Sequence, residues 1–232
     1  IIMNALVTGA TKGIGRAIAI KLAENGYNLS ICARNYEELR HFSKELEAMG
    51  VKVIYLPTDC SDKQAVKDFC AFTLAELGDI DVLVNNAGAF MPGSLLDEAE
   101  ENFEMQLLLN LHAPYFFSRF FGRIMREKQS GHIFNICSIA SKEYVENAGS
   151  YVVTKSALLS LNHVLRQELA AYHVKVTAIL PGSTLTSSWD GTSIPKEQFV
   201  QPEDIAEAIN TILKLSVGVN VDEVTLKPQY FK

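Results

Sequence analysis

Cysteine is scarce in this chain of 232 residues: Cys32, Cys60, Cys70 and Cys137 are all there is, and none has CxxC or other metal-ligand spacing. That argues against a disulfide framework or a structural zinc site and leaves buried, reduced thiols, as expected of a cytoplasmic protein. Long apolar runs are missing too. No stretch approaches the roughly 20 residues of a membrane span, and the residues after Ile1 lack the pattern of a secretory leader, so no membrane association is expected. Basic charge is in deficit, 21 Lys and Arg against 27 Asp and Glu, a formal net charge of −6. Such a surface has no footprint for nucleic acid or anionic lipid. Repeats, low-complexity tracts and flexible linkers are also absent. With 48% hydrophobic and 21% charged residues, residues 1–232 are expected to form one domain with a sizeable core.

What is present alternates regularly. Short apolar runs that read as strands (NALVTGA, YNLSICARN, VKVIYLPTD, IDVLVNNAG, GHIFNICS, VKVTAILPG, VDEVTLKP) are separated by helical periodicities. A long helical segment runs from about Glu98 to Lys128, and a further helix covers GSYVVTKSALLSL at 149–161. Strand and helix in strict alternation predict an α/β fold, a Rossmann-type doubly wound parallel sheet with helices on both faces. Ligands of such sheets bind beyond the carboxyl ends of the strands.

At the first of those ends stands TGATKGIG, with Gly9, Gly13 and Gly15. Glycines there permit a tight turn and close approach of a phosphate, and the following helix presents unpaired N–H groups to the anion. Thr11, Lys12 and Ile14 lie within the same turn. The spacing is GxxxGxG rather than the more familiar GxGxxG. The second strand ends in ICARN, with Arg34 where an NAD site usually carries an acid. A carboxylate repels a 2′-phosphate and a guanidinium binds it. With Lys12 as a second cation, NADP(H) is expected in preference to NAD(H).

Tyr151 and Lys155, four apart in GSYVVTKSALLSL, lie on one helix face a turn apart. The pair alone does not separate a polar fringe from a proton donor with its tuning cation. Taken with the glycine turn Gly9–Gly15, NNAG at 85–88, Ser138, YVVTK at 151–155 and PG at 181–182, it resembles the short-chain dehydrogenase/reductase family in motif order and spacing over essentially the whole chain.

The resemblance implies roles. Tyr151 would protonate the oxygen of a carbonyl that receives hydride from NAD(P)H. A tyrosine ordinarily keeps its proton up to a pH of about 10, and the Lys155 cation favours the phenolate. Ser138 would hold the substrate oxygen, and Asn110 would anchor a water that links the lysine to solvent. Asp59 would meet the adenine with the Cys60 backbone alongside, Asn86, Ala87 and Gly88 would line the cofactor, and Pro181, Gly182, Thr184 and Thr186 would meet its nicotinamide end. Thr184 departs from the Val or Ile usual there.

The substrate pocket is expected from Phe90, Met91, Tyr144, Val145, Asn147 and the loop at about 183–200 with Trp189, the only tryptophan, and Glu143 and Glu146 at the rim. The stretches ARNYEELRHFSKEL and VDEVTLKP look more like the sepiapterin-reductase-like members than like the long alcohol dehydrogenases. 3-Oxoacyl-carrier-protein reductase, diketone reductase, and sugar or alcohol dehydrogenase stay open, as does a non-catalytic NADP-sensing protein on the same scaffold. The aromatic run LHAPYFFSRFFGRIM is richer than a solvent-facing helix needs and predicts a partner; the family resemblance implies that this helix pairs with its counterpart in a homodimer or homotetramer.

Overall fold

A computed structural model describes residues 3–230. Seven strands, β1 (Asn4–Thr8), β2 (Asn28–Ala33), β3 (Val53–Pro57), β4 (Val82–Asn85), β5 (Gly131–Ile136), β6 (Val174–Pro181) and β7 (Glu223–Leu226), form one sheet. Every pairing is parallel, in the order β3-β2-β1-β4-β5-β6-β7. This is the Rossmann-type doubly wound sheet that the alternation predicts.

The period of two along each strand divides the core. Ala5, Val7, Leu29, Ile31, Val82 and Val84 pack on the face covered by α1 (Gly13–Glu24), α2 (Tyr36–Glu47) and α7 (Pro202–Leu213). Leu6, Leu83, Ile133 and Val176 face the other layer, which contains α3 (Lys63–Leu77), α5 (Ala113–Lys128) and the end of α6 (Gly149–Ala170). Burial on both faces is why these strands read as continuous apolar runs. The helix boundaries follow local chemistry: Asn35 caps α2 through its side chain, and Asp62 caps α3 by accepting from the N–H groups of Gln64 and Ala65.

Two features depart from simple periodicity. The long helical segment is α4 (Glu100–Leu107) and α5 joined by a π-helical turn at Leu108–His112. Such turns insert a residue into the hydrogen-bond ladder and often mark functional positions. Part of the aromatic content of α5 is internal. Phe117, Phe121 and Met125 are fully buried, and Phe117 meets Phe69 of α3 edge-on at 6.1 Å. The helix packs on the sheet and on α3 at once, while Tyr115 stays exposed and Phe116 and Phe120 are partly buried.

A buried polar chain ties the centre together. The Asn85 amide donates to Ser118 Oγ (2.9 Å) and to Asn135 Oδ1 (2.8 Å), and Asn135 donates to Asn162 Oδ1 (2.9 Å). It links β4, β5, α5 and α6 below the carboxyl ends of the strands.

Candidate active site

The sheet order reverses between β1 and β4, and the crevice opens there. The glycine turn after β1 is shaped by close packing. Gly9 and Gly13 have φ of +63° and +52°, and a Cβ at Gly15 would lie 2.3 Å from Asn86 Nδ2 and from the Gly9 carbonyl. Asn86 Nδ2 donates to the carbonyls of Thr8 (2.9 Å) and Gly9 (3.0 Å), while Thr8 Oγ1 accepts from the N–H groups of Asn86 and Ala87. The end of β4 therefore holds the turn at the end of β1. No side chain caps α1, and no acid occupies its first turn. Its N–H groups thus face the crevice as anion donors.

One half of the crevice is a cavity of about 700 Å³. Gly9, Thr11, Lys12, Gly13 and Ile14 form one wall, Arg34, Asp59 and Cys60 the next, and Asn86, Ala87, Gly88 and Thr186 the inner end. Gly15 lies behind this wall, where it lets α1 approach Asn86. Ser61 donates its hydroxyl (2.7 Å) and N–H (2.9 Å) to Asp59 Oδ1 and holds that carboxyl below the usual range, with Arg34 contributing more weakly. Cys60 sits 4.0 Å from Cys32, Sγ to Sγ; both are free thiols, and burial raises that of Cys32.

Glu38 is a member of this cavity that sequence reasoning missed. Its Oε1 lies 2.9 Å from Lys12 Nζ, and its Oε2 accepts from Thr11 Oγ1 at 3.1 Å. Lys12, expected as the second cation for the phosphate, is therefore paired with an acid. The lysine bond, then the threonine hydroxyl, holds the Glu38 carboxyl below its ordinary range. A sequence signal existed: Asn35 caps the N–H of Glu38 three residues on, which places the acid in the first turn of α2 beside the glycine turn.

The other half is a cavity of about 340 Å³ where Ser138, Tyr151 and Lys155 meet Pro181, Gly182 and Thr184. Phe90, Val145 and Trp189 complete its apolar side. Lys155 is buried and donates to the Ile136 carbonyl at 2.8 Å, with Nζ 5.8 Å from the Tyr151 ring centroid. The Tyr151 ring is braced edge-on by Phe90 at 5.0 Å. Ser138 Oγ accepts from the Ala140 N–H (3.1 Å) at the start of a short 3-10 turn, Ile139–Ser141. Asn110, carried by the π turn, is fully buried. Its Oδ1 accepts from the Ala89 N–H and its Nδ2 donates to the Ala89 carbonyl, both at 2.9 Å, with a further bond to Thr154 Oγ1 at 3.1 Å. A Cβ on Gly88 would lie 2.9 Å from Asn110 Oδ1 and 3.5 Å from Lys155 Nζ, so a side chain there would crowd both groups.

Three expected pocket residues, Met91, Tyr144 and Asn147, lie outside this cavity wall. Tyr144 is 83% exposed and outside the cavity wall, whereas its neighbour Val145 is in it. Met91 is half-buried but also outside the wall, and its N–H is held by Gln106 Oε1 at 3.2 Å. Irregular loops have no periodicity that tells inward from outward positions. Gln106 and Glu98 were both overlooked, and both fasten the loop over the site. Glu98 Oε1 accepts from the Ser150 N–H (3.2 Å) and hydroxyl, while Gly93 pairs with the 147–149 segment through bonds to Asn147 and Gly149. The 183–200 loop is closed at its ends by Leu185 N–H to the Val200 carbonyl (2.9 Å) and Val200 N–H to the Ser183 carbonyl (3.0 Å). The Thr184 hydroxyl turns back to the Gly182 carbonyl (2.9 Å).

Comparison with known proteins agrees with this geometry. A family model described as short chain dehydrogenase matches residues 3–196. An uncharacterized oxidoreductase of Staphylococcus aureus (strain USA300) is 33% identical over 227 residues, 97% of this chain and 96% of the relative. An alcohol dehydrogenase from the archaeon Thermococcus sibiricus, complexed with 5-hydroxy-NADP, superposes with a TM-score of 0.93 at 32% identity, covering 100% of this chain and 99% of that one. A variant of actinorhodin polyketide ketoreductase with NADPH gives 0.89 at 28% identity, covering 98% and 96%. On its matched sequence, its sheet order and the convergence of its motifs on one crevice, the chain belongs to the short-chain dehydrogenase family of oxidoreductases.

Proposed function

We propose that this protein is an NADPH-dependent carbonyl reductase that converts a ketone, diketone, pterin side chain or 3-oxoacyl group to an alcohol. One observation carries the reading: the cavity of Ser138, Tyr151 and Lys155 is continuous with that of the glycine turn, the two sharing Ile14, Asn86, Gly88, Phe90 and Thr186. The donor set suits an NADP dinucleotide, with uncapped N–H groups at α1, cations at Lys12 and Arg34, and a carboxylate at Asp59. The Thermococcus sibiricus and actinorhodin proteins, bound to such nucleotides, support it.

When bound, the dinucleotide supplies the hydride that adds to the carbonyl carbon. Tyr151 delivers its phenolic proton to the oxygen as the C=O π pair moves onto it. Ser138 Oγ already accepts from the Ala140 N–H, which leaves its own proton to hydrogen-bond the substrate oxygen. Lys155 stabilises the phenolate that remains, and its bond to the Ile136 carbonyl fixes where that charge sits. Asn110 acts through position, holding Ala89 and hence the strand end against Lys155. Phe90, Val145 and Trp189 give the substrate an apolar seat.

Oxidation of an alcohol at the same groups is the second reading, favoured by the Thermococcus sibiricus alcohol dehydrogenase. An NADPH-consumption and NADP⁺-reduction screen over ketoacyl thioesters, diketones, pterins, quinones and simple alcohols separates the two. Turnover of none of them, with NADPH bound, would remove the enzymatic reading in favour of a cofactor sensor. A homodimer or homotetramer would cover Phe103, Met105 and Tyr115, which α4 and α5 expose; sedimentation of a monomer would overturn that part. The four buried free thiols suit a cytoplasmic location.

A further inference from the structure

Besides Asp59, the proposed cofactor cavity contains a second acid, Glu38, on the side of Lys12. We infer that Glu38 is a specificity-determining residue that opposes the 2′-phosphate: it holds Lys12 in an ion pair and sets a carboxylate beside the cations that would receive that group. The inference rests on the reading of this cavity as the dinucleotide site.

The geometry has three parts. Lys12 Nζ and Glu38 Oε1 are 2.9 Å apart, and both residues line the cavity with Arg34. Thr11 Oγ1 donates to the second carboxylate oxygen at 3.1 Å, so Glu38 is held at both oxygens rather than swinging free. Its backbone is fixed as well, by the Asn35 cap at the start of α2. The pair is open to solvent, with side-chain exposures of 66% for Lys12 and 35% for Glu38. Such a pair is weak enough to exchange partners.

A phosphate entering between Lys12 and Arg34 has two options. Either Lys12 leaves Glu38, or it stays and the dianion sits near a carboxylate; both reduce affinity for the 2′-phosphate. A dinucleotide without that phosphate meets neither penalty. Arg34 at the end of β2 therefore favours NADP, and Glu38, reaching in from α2, limits the preference. The pocket reads as tempered in its discrimination.

The test measures binding alone, with 2′,5′-ADP and 5′-AMP as probes on the intact protein. Glu38→Gln keeps the side-chain length and a partner for the Thr11 hydroxyl. It is expected to tighten 2′,5′-ADP roughly three- to tenfold and to leave 5′-AMP within about twofold. A second variant, Glu38→Asp, keeps the charge but shortens its reach, and is expected to keep the wild-type ratio within about threefold. An unchanged ratio of the two affinities in Glu38→Gln, with both ligands binding, overturns the inference and leaves the cofactor assignment standing. Equal tightening of both ligands also overturns it, since that reports a change in the pocket unrelated to the phosphate. Failure of the wild-type protein to bind 2′,5′-ADP removes the cofactor reading and the inference together.

Discussion

The two halves of the crevice are held by different physics. At the Lys12 end, the charged groups are on exposed loops and a first helical turn, joined by a solvent-open ion pair. At the Tyr151 end, Asn110 and Lys155 are buried, and each polar atom is tied to backbone at 2.8–2.9 Å. Exposed pairs contribute roughly 0–1 kcal/mol and can rearrange. Buried polar groups cost several times that when a partner is removed, so they stay in one geometry. The half that binds is adjustable, and the half proposed for chemistry is rigid.

Substitutions can break this contrast, beginning with the rigid half. Tyr151→Phe is expected to lower turnover by roughly 10²- to 10⁴-fold while NADPH titration gives an unchanged affinity; retained turnover would remove the proton-donor role. Asn110→Leu would strand the N–H and carbonyl of Ala89, and should cost about 2–4 kcal/mol in denaturant unfolding. If it cost no more than a surface change, the buried clasp would carry little. Arg34→Asp should weaken NADPH about 10- to 100-fold and NADH far less, and equal losses would contradict the 2′-phosphate assignment.

Buried polarity outside the crevice follows the same rule. His132, stacked on Phe134 and bonded to Thr177 Oγ1 at 2.8 Å, is pushed down to about 3, first by burial and then by Lys175. An unfolded histidine titrates near about 6.5, so between those values the unfolded chain binds the extra proton. This contribution is full above about pH 6.5 and fades as pH falls, by roughly 2 kcal/mol at pH 5. His132→Gln should flatten that slope in a pH series of unfolding midpoints. The smallest effect belongs to an exposed pair: Arg16 Nη2 lies 2.7 Å from both Glu45 carboxylate oxygens, yet Glu45→Gln should cost under about 1 kcal/mol, and less in high salt.

Much of this was legible beforehand, for reasons specific to each residue. Gly9, Gly13 and Gly15 announce the turn because a backbone that tight tolerates no Cβ. Tyr151 and Lys155 share a face because the helix period puts them there. The π turn around Asn110 gave no such sign, since an inserted residue leaves apolar spacing nearly intact. The inward Val145 and the exposed Tyr144 are adjacent in an irregular loop, where no pattern separates them. The aromatics of α5 divide between the packing on α3, where Phe117 meets Phe69, and a face on which Tyr115 stays exposed.

Local propensity, the two periods and the glycine positions were enough to determine the strand order along the chain, the parallel sheet and the residues at its carboxyl edge. These are short-range properties, written into neighbouring residues. The pairing of Lys12 with Glu38, the clasp of Asn110 on Ala89 and the fastening of the 90s loop by Gln106 and Glu98 were decided only by tertiary structure. Each joins groups from different elements, and which distant side chain meets a given charge depends on how helices and loops pack, a quantity that no local pattern encodes.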